Sequence, residues 1–144
     1  MLAIANAYET LGSAYLTGGY HEDAASLDDL AVTRNAVRGR FRMIRRFEAA
    51  DGRFELTAPN VIIWTLQLAE IYGCSRHDCR EPTEIALREI SLKCLRPVTD
   101  PGEIVIRLRV RFRRPVPGGV HYVGDLDVAD GGFTGRIGFI FPTA

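Results

Sequence analysis

The sequence predicts an α+β fold in which a curved antiparallel sheet wraps around one long buried helix. Residues 37–43 and 104–113 alternate between apolar side chains and arginines, which is typical of strands with one exposed face. Residues 58–72 are apolar around nearly the whole helical circumference, which is typical of a helix buried on all sides. Because such a helix must be covered, and strands are the remaining elements, we expect the sheet to cover it.

The N-terminal part of the chain is predicted to form a second, shorter helix. Apolar residues recur every three or four positions over residues 2–16, and a glycine pair ends the pattern. The polar residues 21–29 are typical of a surface connection. We therefore divide the chain into an acidic N-terminal helix and connection, residues 1–33, and a second domain, residues 34–144.

The central helix is bounded by residues that suit helix ends. Thr57 offers an N-cap, and Pro59 fits the first turn. Gly73 suits the position after the last turn, which predicts a helix over residues 58–72. Four strands are expected to follow as a consecutive antiparallel meander, over residues 84–95, 104–113, 120–128 and 133–141. In the second of these strands, the residues expected to face the core are Ile106, Leu108, Val110 and Phe112.

Composition excludes several classes of protein. The 144 residues include 18 basic and 18 acidic ones, so the zero net charge gives no reason to expect a nucleic-acid partner. No apolar run reaches the about 18 residues of a membrane span, and no secretory signal is seen, so a cytoplasmic location is expected. Cys74, His77 and Cys79 fit no strong zinc spacing, and His77 is expected to lie exposed in a polar loop. We expect no metal and no cofactor.

The zero net charge is unevenly distributed along the chain. Residues 1–33 contain five acidic and no basic residues, whereas residues 34–114 contain 17 basic and 10 acidic ones. Almost all the basic residues are arginines, whose planar guanidinium suits carboxylates and phosphates. Two interpretations stay open: the arginine rows bind an anionic substrate carrier, or the acidic N-terminal segment neutralises them. The rows are Arg38, Arg40 and Arg42, and Arg107, Arg109, Arg111 and Arg113, of which Arg107, Arg109 and Arg111 are candidate substrate-binding residues.

Several short motifs follow one another in an order that resembles known families. The stretch Pro59-Asn60-Val61-Ile62-Ile63 resembles the start of the central helix of hydroxyacyl-carrier-protein dehydratases. Arg96-Pro97-Val98 with Pro101-Gly102-Glu103, and later Val128-Ala129-Asp130-Gly131, resemble their strand-turn-strand and their final hairpin. Gln67-Leu68-Ala69 in the helix is similar to the long-chain fatty-acyl-CoA thioesterases of mycobacterial type.

Both families belong to the hot-dog fold superfamily, in which an antiparallel sheet wraps a central helix and subunits pair. The resemblance implies a hot-dog domain over residues 34–144 and a homodimer or higher homo-oligomer. It also implies an acyl-CoA or an acyl carrier protein with its phosphopantetheine arm as partner. The catalytic histidine of the dehydratases is absent from residues 47–59, and Thr65 stands where their helical acid lies. The two asparagine positions of the thioesterases hold Thr57 and Leu66.

A polar stripe on the central helix supplies the candidate catalytic residues. At about 100° per residue, Asn60, Trp64 and Gln67 share one face, and Glu70 lies about 60° from Gln67. Buried polar groups cost about 1–3 kcal/mol each when unpaired, so they need partners or a purpose. Glu70 is a candidate general base, Gln67 a candidate to position water, and the amides near Asn60 and Val61 a candidate oxyanion site. Alternatively, these side chains bond loop backbone or cross a dimer interface.

Other residues near the helix start complete the candidate site. Glu48 and Asp51 precede the helix and offer an alternative carboxylate, while Trp64, Thr57 and Thr65 are candidate substrate-binding residues. We expect an acyl-thioester hydrolase of fatty-acid or polyketide-type metabolism. The alternatives are a dehydratase or cyclase that acts on a carrier-bound β-hydroxy or β-keto chain, with Asp51 or Glu48 as the acid, and a non-catalytic partner that binds acyl carriers.

Overall fold

In the part of the chain that the structure describes, one helix packs against a six-stranded antiparallel sheet. The computed structural model describes residues 25–43, 54–81 and 83–143. The predicted N-terminal helix over residues 2–16, and the candidate residues Glu48 and Asp51, lie outside the described residues. The elements in chain order are β1 (Ala25–Val32), β2 (Ala36–Met43), α1 (Ala58–Arg76), β3 (Ala86–Cys94), β4 (Ile104–Val116), β5 (Gly119–Val128) and β6 (Phe133–Pro142).

The strands are ordered β1-β2-β4-β5-β6-β3 across the sheet, and every neighbouring pair is antiparallel. The predicted meander of four strands is therefore wrong for β3, which pairs with β6 and not with β4. The turn at Asp100 does form, since the side chain of Asp100 accepts a hydrogen bond from the Gly102 amide at 2.9 Å. It does not make a hairpin, because the chain leaves β3 at one sheet edge, where the Leu95 amide bonds Gly132, and re-enters at β4.

The polar segment before residue 33 contains a strand. The interpretation of residues 21–29 as a surface connection is wrong for Ala25–Asp29, which belong to β1. Polar residues are accommodated there because β1 is an edge strand and faces the arginines of β2: Asp28 lies opposite Arg40, and their side chains are 2.7 Å apart. A division of the chain at residue 33 stays a prediction, but β1 on its N-terminal side is part of the sheet.

Helix α1 begins as predicted and ends one turn later. Thr57 has extended N-cap backbone angles, although its side chain makes no capping hydrogen bond. The helix continues through Gly73 to Arg76. Glycine at position 73 allows α1 to pack closely against β6, because a Cβ there would overlap the ring of Phe141. The expectation of a helix buried on all sides is also wrong in detail, because Ile62, Ile63, Leu66 and Glu70 form a half-buried stripe along one side.

A bulge in β4 changes the direction of its side chains. The pairing with β5 shifts between Val110 and Phe112, so that Val110 lies opposite Gly124 while Phe112 lies opposite Val123. Phe112 is consequently 51% exposed, and the prediction that it faces the core is wrong. The core between α1 and the sheet includes Phe41, Leu68, Tyr72, Ile104, Ile106, Leu108, Tyr122, Ile137, Phe139 and Phe141.

Candidate functional site

The polar stripe of α1 lies beside the half-buried side of the helix. Gln67 is 5% exposed, and Asn60 and Glu70 are half-buried. The carbonyl oxygen Oε1 of Gln67 accepts no hydrogen bond from any described residue. Because buried amide oxygens in proteins nearly always accept a hydrogen bond, this atom is suited to a water or a ligand group. The half-buried apolar residues Ile63 and Leu66 lie along the same side.

The amides at the start of α1 are only partly available for an oxyanion. The Val61 amide donates to the Thr57 carbonyl at 3.3 Å, so the expected role of Val61 is wrong for its N–H group. The amides of Ala58 and Asn60 precede the first helical hydrogen bond and have no acceptor within the helix. From Asn60 to Glu70 the helix rises about 15 Å, so these groups of one chain cannot reach one carbonyl together.

The three candidate substrate-binding residues of the helix region face different surroundings. The ring of Trp64 is 2% exposed and stacks on Phe41, with centroids 5.0 Å apart and an interplanar angle of 9°. Thr65 is fully buried on the side away from Gln67, and its hydroxyl has no hydrogen-bond partner among the described residues. Thr57 is exposed. The structure does not bring these side chains together, and their contact with a substrate stays a prediction.

The arginines of β2 are paired with carboxylates of the neighbouring strand. Arg38 lies 3.5 Å from Asp29, while Arg40 and Arg42 lie 2.7 Å and 3.3 Å from Asp28. The hydrogen bond to Asp28 raises the pKa of Arg40. Of the two interpretations of this row, the structure therefore shows neutralisation by the acidic residues of the chain itself.

The arginine row of β4 is paired in part, and with different acids. Arg107 lies 3.2 Å from Asp130, and Arg111 lies 2.6 Å from Asp125. These acids belong to β5 and the turn after it, and not to the first 33 residues as expected. Arg109 is exposed and has no ion pair with a described residue. A role of Arg107, Arg109 and Arg111 in substrate binding stays a prediction.

A histidine that the sequence places in a polar loop is half-buried at the end of α1. His77 stacks on Phe141 with centroids 4.7 Å apart, and its Nε2 lies 2.7 Å from the hydroxyl of Tyr122. Burial, and then the positive charges of Arg76 and Arg113, lower the pKa of His77, while burial raises the pKa of Tyr122. The sequence carried no local signal for this pair, because the two residues are 45 positions apart.

The cysteines do not form a site. Cys74 is buried, which raises the pKa of its thiol, while Cys79 is half-buried and Cys94 is exposed on β3. Within residues 25–43, 54–81 and 83–143, no three His, Cys, Asp or Glu side chains are arranged to hold a metal ion. In the same part of the chain, no helix has the length and apolar character needed to cross a membrane.

Solved structures with the same arrangement of strands and helix are numerous, although the sequence alone finds no relative. Comparison of the sequence with models of protein families and with curated proteins gives no match. A thioesterase from Pseudomonas aeruginosa superposes with a TM-score of 0.57 at 14% identity, over 83% of this chain and 82% of that one. Zebrafish thioesterase superfamily member 2 gives 0.61 at 12% identity, over 95% and 97%.

A dehydratase heterocomplex from Xenorhabdus doucetiae is similar to the same extent. Its TM-score is 0.58 at 17% identity, over 81% of this chain and 82% of that chain. Identities this low establish a common fold and leave the chemistry open. The chain has the hot-dog fold expected from the order of its motifs.

Proposed function

We propose that this protein hydrolyses acyl thioesters carried by coenzyme A or by an acyl carrier protein. Most of the similar structures are thioesterases, and some of them were determined with a glutamine or a glutamate replaced by alanine. The polar stripe of α1 carries both of these residue types in Gln67 and Glu70. We also propose a cytoplasmic location, as expected from the sequence.

The observation that carries the proposal is the open oxygen of Gln67. It lies in an almost fully buried amide and accepts no hydrogen bond from a described residue. A water molecule held by Gln67 would have the half-buried carboxylate of Glu70 one helical turn away. In this mechanism Glu70 takes a proton from the water, which attacks the thioester carbonyl, and the thiol of the carrier leaves as the tetrahedral intermediate collapses. Trp64, on the same face, would contact the acyl chain.

The oxyanion donors are best supplied by a second copy of the chain. The amides of Ala58 and Asn60, which have no acceptor within the helix, lie about 15–18 Å along the helix from Glu70, which is too far for one active site in one chain. A two-fold axis that runs α1 of one copy antiparallel to α1 of another would place the helix start of one beside Glu70 of the other. The half-buried apolar residues Ile63 and Leu66 supply the surface such a contact requires.

Strand β3 is the edge that fits this pairing. It is nine residues long, largely exposed and free of proline, and its own register shift, between Leu87 and Glu89, precedes the residues that would pair. If two copies of β3 pair antiparallel about Ser91, Glu89 lies opposite Lys93 twice, and the apolar residues Ile90 and Leu92 lie opposite each other twice. Opposite charges and apolar pairs across strands both favour this register. We therefore propose a homodimer paired about Ser91.

Charge reversal tests the dimer. Lys93→Glu places two like-charged pairs across the axis, and we expect it to shift sedimentation toward the monomer. Adding Glu89→Lys restores opposite charges and is expected to restore the dimer. Dimers of equal stability in wild type, single and double variants would contradict the register.

Hydrolysis is tested with a panel of acyl-CoA and acyl-carrier substrates. We expect Gln67→Ala and Glu70→Gln each to lower kcat/KM by about 10²-fold or more, the usual effect of losing a positioned acid or base. Glu81→Gln, an exposed carboxylate beyond the helix, is the matched control and should leave the rate unchanged. Hydrolysis that persists unchanged in both helix variants would refute the assignment.

A second candidate function is dehydration or cyclisation of a carrier-bound β-hydroxy or β-keto chain. The similar dehydratase heterocomplex favours it, and Asp51 or Glu48 would then supply the acid. Mass spectrometry of the products separates the two reactions, since hydrolysis releases a free acid while dehydration removes water from an intact thioester. Binding of an acyl carrier without either product would instead indicate a non-catalytic partner.

A further inference from the structure

A positively charged cavity lies at the end of α1 opposite to the helix start. Its volume is about 210 Å³, and it opens where the last turn of α1, the β1–β2 turn and the middle of β4 meet. Among the described residues, four arginines and two aromatic rings line it, and no carboxylate does. The arginines are Arg34, Arg76, Arg111 and Arg113, and the rings are those of Tyr72 and Phe112.

The fold brings these arginines together in three separate ways. Arg34 precedes β2, and the hydroxyl of the buried Tyr72 donates a 2.6 Å hydrogen bond to its carbonyl, which fixes the β1–β2 turn against α1. Arg76 occupies the last turn of α1. Arg113 follows the β4 bulge, which places it opposite the buried Tyr122 and so on the face that carries the helix. Without the bulge, Arg113 would continue the outward row.

The described residues leave the positive charge in the cavity largely uncompensated. Of the four arginines, only Arg111 forms an ion pair with a described residue, at 2.6 Å from Asp125. The Nε atom of Arg76 is buried and has no hydrogen-bond partner among the described residues. The C-terminal end of α1 offers about half a negative charge, which does not balance Arg34, Arg76 and Arg113. Several guanidinium groups that line one small cavity favour the binding of an anion.

We propose that this cavity binds a phosphate group, either as the monoester of a small organic ligand or as free phosphate. Guanidinium forks match phosphate oxygens, and a monoester carries nearly two negative charges at neutral pH, where a carboxylate carries one. The cavity is smaller than the about 300–1,000 Å³ of pockets that enclose a whole ligand, so it takes the charged group alone. Phe112, 51% exposed at the rim, offers a flat ring to the rest of the ligand.

The described residues that line this cavity do not include Gln67 or Glu70, so phosphate binding is tested separately from the proposed hydrolysis. Arg76 lies six residues beyond Glu70 and nine beyond Gln67, which is about 9 Å and about 14 Å along the helix axis. Two sources of the phosphate are to be separated: the 3′-phosphate of coenzyme A and free phosphate. Dephospho-coenzyme A lacks that monoester and keeps the rest of the molecule, so it distinguishes the sources.

Calorimetric titration at low ionic strength, with inorganic phosphate, coenzyme A and dephospho-coenzyme A, tests the site. Saturable binding of phosphate is expected, weakened about tenfold or more by Arg113→Gln and by Arg76→Gln. The matched control is Arg114→Gln, which removes the same charge from the next residue of β4, outside the cavity, and should change the affinity less than about twofold. Arg34→Gln provides a second cavity variant where Arg76→Gln fails to fold.

The outcomes decide both the site and its ligand. Tighter binding of coenzyme A than of dephospho-coenzyme A, with the difference lost in Arg113→Gln, supports the site and identifies the 3′-phosphate as its ligand. Equal binding of those two, together with phosphate binding that depends on Arg113, supports the site for free phosphate. Absence of saturable phosphate binding, or equal weakening by Arg113→Gln and Arg114→Gln, overturns the proposal.

Discussion

Replacing Gly73 with alanine should destabilise the protein, although the same change usually stabilises a helix. Within a helix, alanine is favoured over glycine by about 1 kcal/mol. Here the new Cβ would overlap the Phe141 ring, lying 2.7 and 2.9 Å from its Cε2 and Cγ atoms. That ring is fully buried and stacked on His77 at 4.7 Å, so it has no free side to move toward. Overpacking costs about 1–3 kcal/mol, and at this rigid contact we expect the upper part of the range.

The net expectation is a loss of about 2 kcal/mol in the free energy of unfolding, or roughly 5–10 °C in Tm. Urea unfolding followed by circular dichroism measures it. The partner variant is Phe141→Leu, which removes the flat ring. In the Phe141→Leu background, Gly73→Ala should lower the free energy of unfolding by a smaller amount than in wild type, and we expect the difference to be at least about 1 kcal/mol. Stabilisation by Gly73→Ala, or strictly additive losses, would refute this account of why the helix continues through a glycine.

Three further changes probe the core and the histidine. Thr65→Val should leave stability unchanged or raise it by up to about 1 kcal/mol in urea unfolding, because it removes a buried hydroxyl with no partner among the described residues. Trp64→Ala should lower stability by about 3–5 kcal/mol, since the ring is 2% exposed and stacked on Phe41. His77 has a lowered pKa in the folded state, so its contribution to stability is present above about pH 6.5 and is lost as the pH falls below it. His77→Gln should flatten the fall in stability between about pH 7.5 and pH 5, and an unchanged pH dependence would contradict the assigned shift.

Elements that depend on neighbouring residues were predictable from the sequence, and those that depend on distant partners were not. Alternation located β2 and the first half of β4, because each residue's exposure there follows its own strand. The polar strand β1 was not predicted, because its acidic residues are stabilised in the sheet by ion pairs with the arginines of β2. The sequence of β1 by itself contains no sign of these partners. The pairing of β3 with β6 likewise depends on contacts between residues that are 39 to 54 positions apart in the sequence.

The candidate site was predictable to a similar extent. Helical spacing alone places Gln67 on the side of α1 away from Thr65, because the angle between two side chains of a helix depends only on their sequence positions. It could not show that the Val61 amide is used by Thr57, or that Trp64 is stacked on Phe41, since both facts require the folded chain. The surroundings of Glu48 and Asp51 lie outside the described residues, so their part in the site remains a prediction.

The β4 bulge separates arginines that lie opposite acidic residues of β5 from an arginine that faces the cavity. Before the bulge, Arg107 lies opposite Asp127, and Arg109 opposite Asp125, so the outward face places positive and negative residues side by side. After it, Arg113 lies opposite the buried Tyr122, and no acid faces it across the strand pair. One extra residue in a strand thus moves a guanidinium from the outward row to the helix-bearing face.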